Sequence, residues 1–338
     1  MSAQLGTFAF SALVALVVLY LLYQILVRGF VHTYRPWGPV EHLRKPAVPT
    51  GGGIAFIIVL VGMQITGMLV ADAFFAPAEG HLRGSMLLAG LVLALGLLGF
   101  IDDALKVRRE SSTGFRARYK LLIQLVLCLW FLWEVYPSAQ KALIPFSNGS
   151  VQLPLWVFMT LGTILLMGMV NGMNFADGLD GLAAGLALIM LSALILIFNL
   201  AQWSTPANPL GNMLLFGSII IAGAVFAFLV TNFKPALLYM GDTGSYFLGA
   251  FIGGVAILSG CMLYLLIIGA LLGIEILSVM LQVAYFRLTG GSRILKMSPL
   301  HHHFELSGMS EPAVVFMFWA VQALLGAIAV AAYFWSTL

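Results

Sequence analysis

Ten apolar stretches, most of them near the length of a membrane-crossing helix, take up the greater part of this 338-residue chain. They lie near Phe8 to Leu26, Gly51 to Ala71, Ser85 to Ile101, Leu121 to Trp133, Val157 to Val170, Leu182 to Leu200, Met213 to Val230, Gly244 to Leu258, Met262 to Phe286 and Ala313 to Trp335. Crossing the ~30 Å apolar core of a bilayer takes about 20 mostly apolar residues in helical form. A content of 61% hydrophobic against 9% charged residues places the chain in the lipid-embedded class rather than among soluble domains. The expected fold is an all-α integral membrane protein of about ten transmembrane helices, forming one polytopic domain over residues 1–338. The first stretch has no basic leader and no small-residue cleavage site after it, so it reads as a retained helix. Cys128 and Cys261 fall in or beside apolar stretches without paired spacing and read as packing residues.

If the spans alternate, one set of loops holds Arg28, Arg35, Arg44, Lys45, Lys106, Arg108, Arg109, Arg116, Arg118, Lys120, Lys234, Arg287, Arg293 and Lys296, which is 14 of the 16 basic residues. The other set holds only Arg83 and Lys141. The positive-inside rule then puts the first set in the cytoplasm and both termini outside. Five of the six aspartates, Asp102, Asp103, Asp177, Asp180 and Asp242, fall on that same side, although they took no part in assigning it. An ionised carboxylate costs at least several kcal/mol to desolvate unless it is paired. Such a cluster at a membrane boundary points to one composite cytoplasmic site for a cation or a substrate. A transporter would more often bury its charges near the bilayer midplane in broken helices, and no inverted repeat is apparent.

Four segments carry the chemistry. Asp102 and Asp103 end the third span with Lys106 on a shared face; this is either a solvated helix end with an ion pair or a site for a divalent cation, a proton and a phosphate. Asn171, Asn174, Asp177 and Asp180 recur every three residues, so a helical turn could present them along one side. Asp242 and Thr243 suit an N-cap, yet a hard cation such as Mg²⁺ needs only one or two carboxylates from separate loops when phosphate supplies the rest. His301, His302 and His303 point in different directions if helical, so at most two address one ligand; phosphate or sugar suits them better than a closed zinc site. Glu275, inside the ninth span, is a functional candidate by position, or else a partner for Ser278 or another helix. The Gly51–Gly53 run allows close helix packing or backbone approach to an anion.

Taken together, these segments resemble the polyprenyl-phosphate N-acetylhexosamine-1-phosphate transferase superfamily, and within it the phospho-N-acetylmuramoyl-pentapeptide transferases. The resemblance runs from about Lys45 to Pro312 and rests on DDALK from Asp102, NGMNFADGLDGLA from Asn171, PALLYMGDTGS from Pro235 and SPLHHHFELSG from Ser298. The HHHFEL run followed by Glu311 and Pro312 favours the muramoyl-pentapeptide branch over sister enzymes that use UDP-N-acetylglucosamine. The resemblance implies transfer from UDP-N-acetylmuramoyl-pentapeptide to undecaprenyl phosphate at the cytoplasmic face of the bacterial inner membrane. The products would be lipid I and UMP, the cofactor Mg²⁺ and the assembly a homodimer, with no nucleic-acid partner.

Carried onto matching positions, Asp102 and Asp103 are the paired acids, with Asp102 acting on the lipid phosphate. Asp177 and Asp242 resemble Mg²⁺ ligands, Asp242 being catalytic as well. Asn171, Asn174 and Asn232 match substrate-holding positions, Asp180 the acid that reads uracil, and Tyr239 an aromatic that stacks on it. Lys45, Lys106 and Lys120 match phosphate-binding positions, and His301 and His302 the histidine cluster. Two departures stand out: Ala176 replaces a usual threonine and Glu110 a usual lysine.

Overall fold

The computed structural model describes residues 2–26, 30, 48–62, 79–109, 114–201 and 208–336. In chain order the helices are α1 (Ser2–Leu26), α2 (54–62 as far as described), α3 (Glu79–Arg108), α4 (Ala117–Ala139), α5 (Leu155–Ala176), α6 (Leu182–Leu200), α7 (Pro209–Asn232), α8 (Gly241–Leu258), α9 (Leu265–Ile268), α10 (Ala270–Leu288), α11 (Leu300–Leu306) and α12 (Glu311–Trp335). Among the described residues, nine helices are long and apolar enough to cross a membrane. The expected span from Gly51 to Ala71 is described only through Gly62. The chain is a multi-pass membrane protein.

Helix α8 is the axis: every residue from Asp242 to Leu258 is buried, with α3 and α5 packed against it. Close approach there depends on glycine. A Cβ on Gly99 of α3 would run into the Asp242 carbonyl, and one on Gly53 would run into the backbone of Gly244. Small residues that let helix backbones touch replace the hydrophobic drive that lipid cannot supply. The amides of Gly52 and Gly53 donate to the carbonyls of Tyr239 (2.9 Å) and Met240 (3.2 Å). The glycine run therefore serves packing.

The two ends of the bundle differ. α3 ends, α4 starts, α5 ends and α8 starts at one end, which gathers the aspartates. At the other, a hairpin of β1 (Lys141–Leu143) and β2 (Ser150–Gln152), with Ala142 opposite Val151, lies over the end of α8. Leu143 N–H there donates to the Gly260 carbonyl at 2.8 Å. Gln4 near the start of α1 bonds Asn199 near the end of α6 at 2.7 Å, so α1 also begins at this second end.

One expected span is not continuous. The stretch from Met262 to Phe286 is split into a 3₁₀ turn (Met262–Tyr264), α9 and α10, with Gly269 at the break. A Cβ on Gly269 would lie 2.9 Å from Met169 Sδ of α5, and Gln322 Nε2 of α12 donates to the Ile268 carbonyl at 2.9 Å. Backbone that leaves helical geometry at membrane depth is tolerated where protein satisfies it in this way.

Candidate active site

Adjacent positions on a helix point about 100° apart, and this divides the two acids at the end of α3. Asp102 turns towards α4. Its Oδ1 accepts Phe115 N–H at 2.6 Å, and its Oδ2 lies 2.8 Å from Lys106 Nζ and 3.1 Å from Lys120 Nζ. Asp103 turns towards α8, where the first N–H groups of a helix lack internal partners. Its Oδ1 accepts Asp242 N–H at 3.0 Å, and its Oδ2 accepts Thr243 N–H at 3.0 Å and Thr243 Oγ1–H at 2.8 Å. Asp103 thus caps a neighbouring helix, where its negative charge also suits the helix dipole. Lys106 keeps only a 3.7 Å contact with it.

Asp242 is where the elements converge. Its Oδ2 receives Lys106 Nζ at 3.0 Å and Lys120 Nζ at 3.2 Å, and its Oδ1 accepts Asn174 Nδ2 at 2.9 Å. Asn174 also donates to Ser245 Oγ at 2.9 Å. Two ammonium groups therefore bridge two carboxylates drawn from helices far apart in sequence.

The four polar groups spaced three apart do not share one side. A step of three drifts against 3.6 residues per turn, and α5 stops at Ala176. Gly181 takes a left-handed φ of 82° in the turn that follows. Asn171 Nδ2 donates to Gln124 Oε1 of α4 and to the Met167 carbonyl, both at 2.9 Å. Asn174 faces α8, and Asp180 faces the 235–239 loop, with Oδ2 accepting Ala236 N–H at 3.2 Å and Oδ1 accepting Tyr239 O–H at 3.4 Å. Asp177 lies between them. Burial first, and the nearby Asp242 charge second, hold its carboxyl well above the usual carboxylate range. Its carboxylate makes no hydrogen bond or ion pair among the described residues.

Around this turn, Gly181 N–H donates to Asn232 Oδ1 at 3.0 Å, and Asn232 Nδ2 donates to the Leu238 carbonyl at 2.9 Å. Glu311, at the start of α12, accepts Asp180 N–H at 3.0 Å and pairs with Lys234 Nζ at 2.7 Å. The rings of His301 and His302 lie 4.3 Å apart between centroids, while His303 Nδ1 accepts Lys296 N–H at 3.1 Å. The first two rings thus lie side by side, and the third is turned to the Lys296 backbone. Lys45 and Glu110 lie outside the described residues. Ala176 is buried.

Chemically, the cluster joins hard oxygen donors to two fixed ammonium groups. Among the described residues, no three or more acidic, histidine or cysteine side chains group closely enough to enclose a metal ion by themselves. A hard cation held by one or two carboxylates, with the rest of its shell from water or phosphate, fits this donor set.

Residues 85–260 match the family model described as glycosyl transferase family 4. That segment spans Asp102 to Asp242 and stops before α10–α12. Similarity over nearly the whole chain comes from bacterial phospho-N-acetylmuramoyl-pentapeptide transferases. The chain is 37% identical to that of Acetivibrio thermocellus over 322 residues (94% of this chain, 91% of the relative). It is 37% identical to that of Listeria monocytogenes over 328 residues (96% and 95%) and 38% identical to that of Bacillus pumilus over 309 residues (90% of each). The chain belongs to the phospho-N-acetylmuramoyl-pentapeptide transferases. In this transferase the full-length similarity takes in α11, the helix that bears the histidines.

Sequence reasoning missed several partners that hold the site: Gln124 behind Asn171, Ser245 behind Asn174, and the Glu311–Lys234 pair behind Asp180. A lone glutamine in the apolar run of α4 was the one visible signal for the first.

Proposed function

We propose that this transferase moves phospho-N-acetylmuramoyl-pentapeptide from its UDP-linked donor to undecaprenyl phosphate, giving lipid I and UMP, in the first membrane step of peptidoglycan synthesis. The reading includes Mg²⁺ as cofactor and a site at the cytoplasmic face of the bacterial inner membrane. One observation carries it. Lys106 and Lys120 lie within 3.2 Å of carboxylate oxygens of both Asp102 and Asp242, in a chain akin over nearly its whole length to proteins named for this transfer.

Attack of one phosphate on another gathers negative charge on the transferred group, so the protein's part is positioning and charge stabilisation. Lys106 and Lys120, now on carboxylates, turn to phosphate oxygens when a diphosphate enters. Asp102 shares both lysines and takes the proton of the lipid phosphate or orients it. Asp177 and Asp242 would hold Mg²⁺, and a bound ion would supply positive charge against the diphosphate. Asp103 aims Asp242 through the backbone of α8, and Asn174 fixes its carboxylate. Asp180 and Tyr239 take the uracil, while His302 and Lys45 meet donor groups.

A lipid-anchored acceptor and a water-soluble donor meet only at an interface, and the distribution of basic residues supports the cytoplasmic one. The family resemblance also supports a homodimer, which the detergent-corrected mass in solution tests. The reaction is tested by giving the purified protein undecaprenyl phosphate, Mg²⁺ and either UDP-N-acetylmuramoyl-pentapeptide or UDP-N-acetylglucosamine, and measuring UMP. Release from the pentapeptide donor, abolished by chelating Mg²⁺, is expected. Release from UDP-N-acetylglucosamine alone would sink the branch assignment, and release undiminished by chelation would remove the metal.

A further inference from the structure

Glu275 is a fully buried acid on α10 that takes no part in the aspartate cluster. The Ser278 hydroxyl donates to its backbone carbonyl at 2.7 Å, which leaves the carboxylate for other partners. These come from a helix 25 residues further on. Glu275 Oε2 accepts Leu300 N–H at 2.8 Å, and Oε1 accepts His301 N–H at 3.3 Å. Both donors lie in the first turn of α11, whose N-cap position, Pro299, supplies no side-chain cap. A seven-residue helix is too short to be stable alone, so its position is set by what grips it.

The grip continues into the site. His301 is fully buried, with Nδ1 3.4 Å from Glu275 Oε2 and its ring edge-on to Phe318 of α12. On its far side lies the turn that follows α5. A Cβ on Gly178 would be 2.5 Å from His301 Nε2 and 3.4 Å from His302 Nε2. Gly178 sits between Asp177 and Asp180, the two acids of that turn. Glu275, His301 and Gly178 therefore form a continuous line from the interior of α10 to the candidate metal and nucleotide turn. Among the described residues neither ring nitrogen of His301 has a hydrogen-bond partner, so packing and the 3.4 Å approach to Glu275 hold the ring.

We propose that Glu275 is a positioning residue of this transferase: through the first turn of α11 and the His301 ring it fixes the Asp177–Asp180 turn, and so the seating of the donor diphosphate, without touching substrate. His301 is part of the same brace. The proposal rests on reading the site as a phosphosugar transferase.

The test compares wild type with Glu275→Gln, Glu275→Ala and Gly178→Ala in detergent. Hydrogen–deuterium exchange is followed over residues 298–306 and over α8, and kcat and KM are measured for both substrates. Glu275→Ala is expected to speed exchange in 298–306 while α8 stays protected. Its kcat should fall about a hundredfold, the scale of a misplacement of about 1 Å. KM for undecaprenyl phosphate should stay within about twofold, because no contact with that substrate is lost. Glu275→Gln keeps the size and one acceptor oxygen and should fall between. Gly178→Ala, pressing on His301 from the other side, should repeat the kcat loss. Wild-type exchange in 298–306, or wild-type kcat in both Glu275 variants, would overturn the proposal. So would an equal rise in exchange across α8, which would make Glu275 a general stabiliser. If Glu275→Ala does not fold, Glu275→Gln and Gly178→Ala decide by the same readings. Exchange needs no donor, so failure of the wild type to release UMP would strike the transferase reading separately.

Discussion

At one end of the bundle Asp102 is fully buried against two lysines. At the other, the charge pair joining the same two helices, Arg83 of α3 and Glu134 of α4, has side chains 64% and 32% exposed. Arg83 and Asp102 are 19 residues apart on one helix, roughly 28 Å at 1.5 Å per residue. The exposed pair meets little desolvation cost and returns little stability. The buried group must overcome several kcal/mol per ion, and does so only through many simultaneous contacts. A fold that meets this cost at one end and avoids it at the other has placed its function at the first.

The comparison breaks most sharply at Asp242. Asp242→Asn keeps the shape and can still meet Asn174, but removes the charge that both lysines and a metal ion would share. Turnover is expected to fall by at least about a thousandfold, the scale on which charge stabilisation governs phosphoryl transfer. The protein should stay monodisperse, with α8 still protected from exchange. Near-normal UMP release from this variant would remove Asp242 from the site.

Asp103 separates aiming from chemistry at the same end. Asp103→Ala leaves two backbone N–H groups and a hydroxyl of α8 without acceptors. The loss should be about 2 kcal/mol of stability, read as a lower midpoint of thermal unfolding, together with lower turnover as Asp242 loses its aim. An unchanged midpoint would mean that water replaces the cap and that Asp103 acts on the reaction directly.

What the sequence makes legible follows from how strong each constraint is. Span length is fixed by bilayer thickness, so nearly all the helices could be read directly from apolar runs. The site could be read because carboxylates at a membrane boundary are costly. Partner choice could not, because it depends on rotation about helix axes and on packing between segments far apart in sequence. Asp102 and Asp103 are adjacent, yet they serve α4 and α8 respectively. Asn171 looks like a neighbour of Asn174 in function but is held by Gln124. Gly269 is one glycine among many in apolar runs, and only the Met169 contact and the Gln322 hydrogen bond mark it as a break.

A smaller effect is expected at Glu311, which carries the turn bearing Asp180. Glu311→Gln keeps an acceptor for Asp180 N–H and removes the charge that meets Lys234. The loss of one charge-assisted contact is about 1.5 kcal/mol, or roughly tenfold. It should appear in KM for the UDP-linked donor, because Asp180 and Tyr239 are tied to the same turn. A change in KM for undecaprenyl phosphate instead would detach this turn from nucleotide binding.

The smallest effect belongs to the far end. Arg83→Ala removes a pair whose partners are both partly open to their surroundings, so the expected change in stability is at most about 0.5–1 kcal/mol. Turnover and both KM values should match wild type, because no described contact links Arg83 to the aspartates. Added salt should narrow even the small stability difference, since it screens exposed charges and leaves buried ones largely untouched. If Arg83→Ala slowed UMP release as strongly as a change in the aspartate cluster, the two ends would be mechanically coupled along α3. The contrast drawn between them would then have to be replaced by a single charge system running the length of the helix.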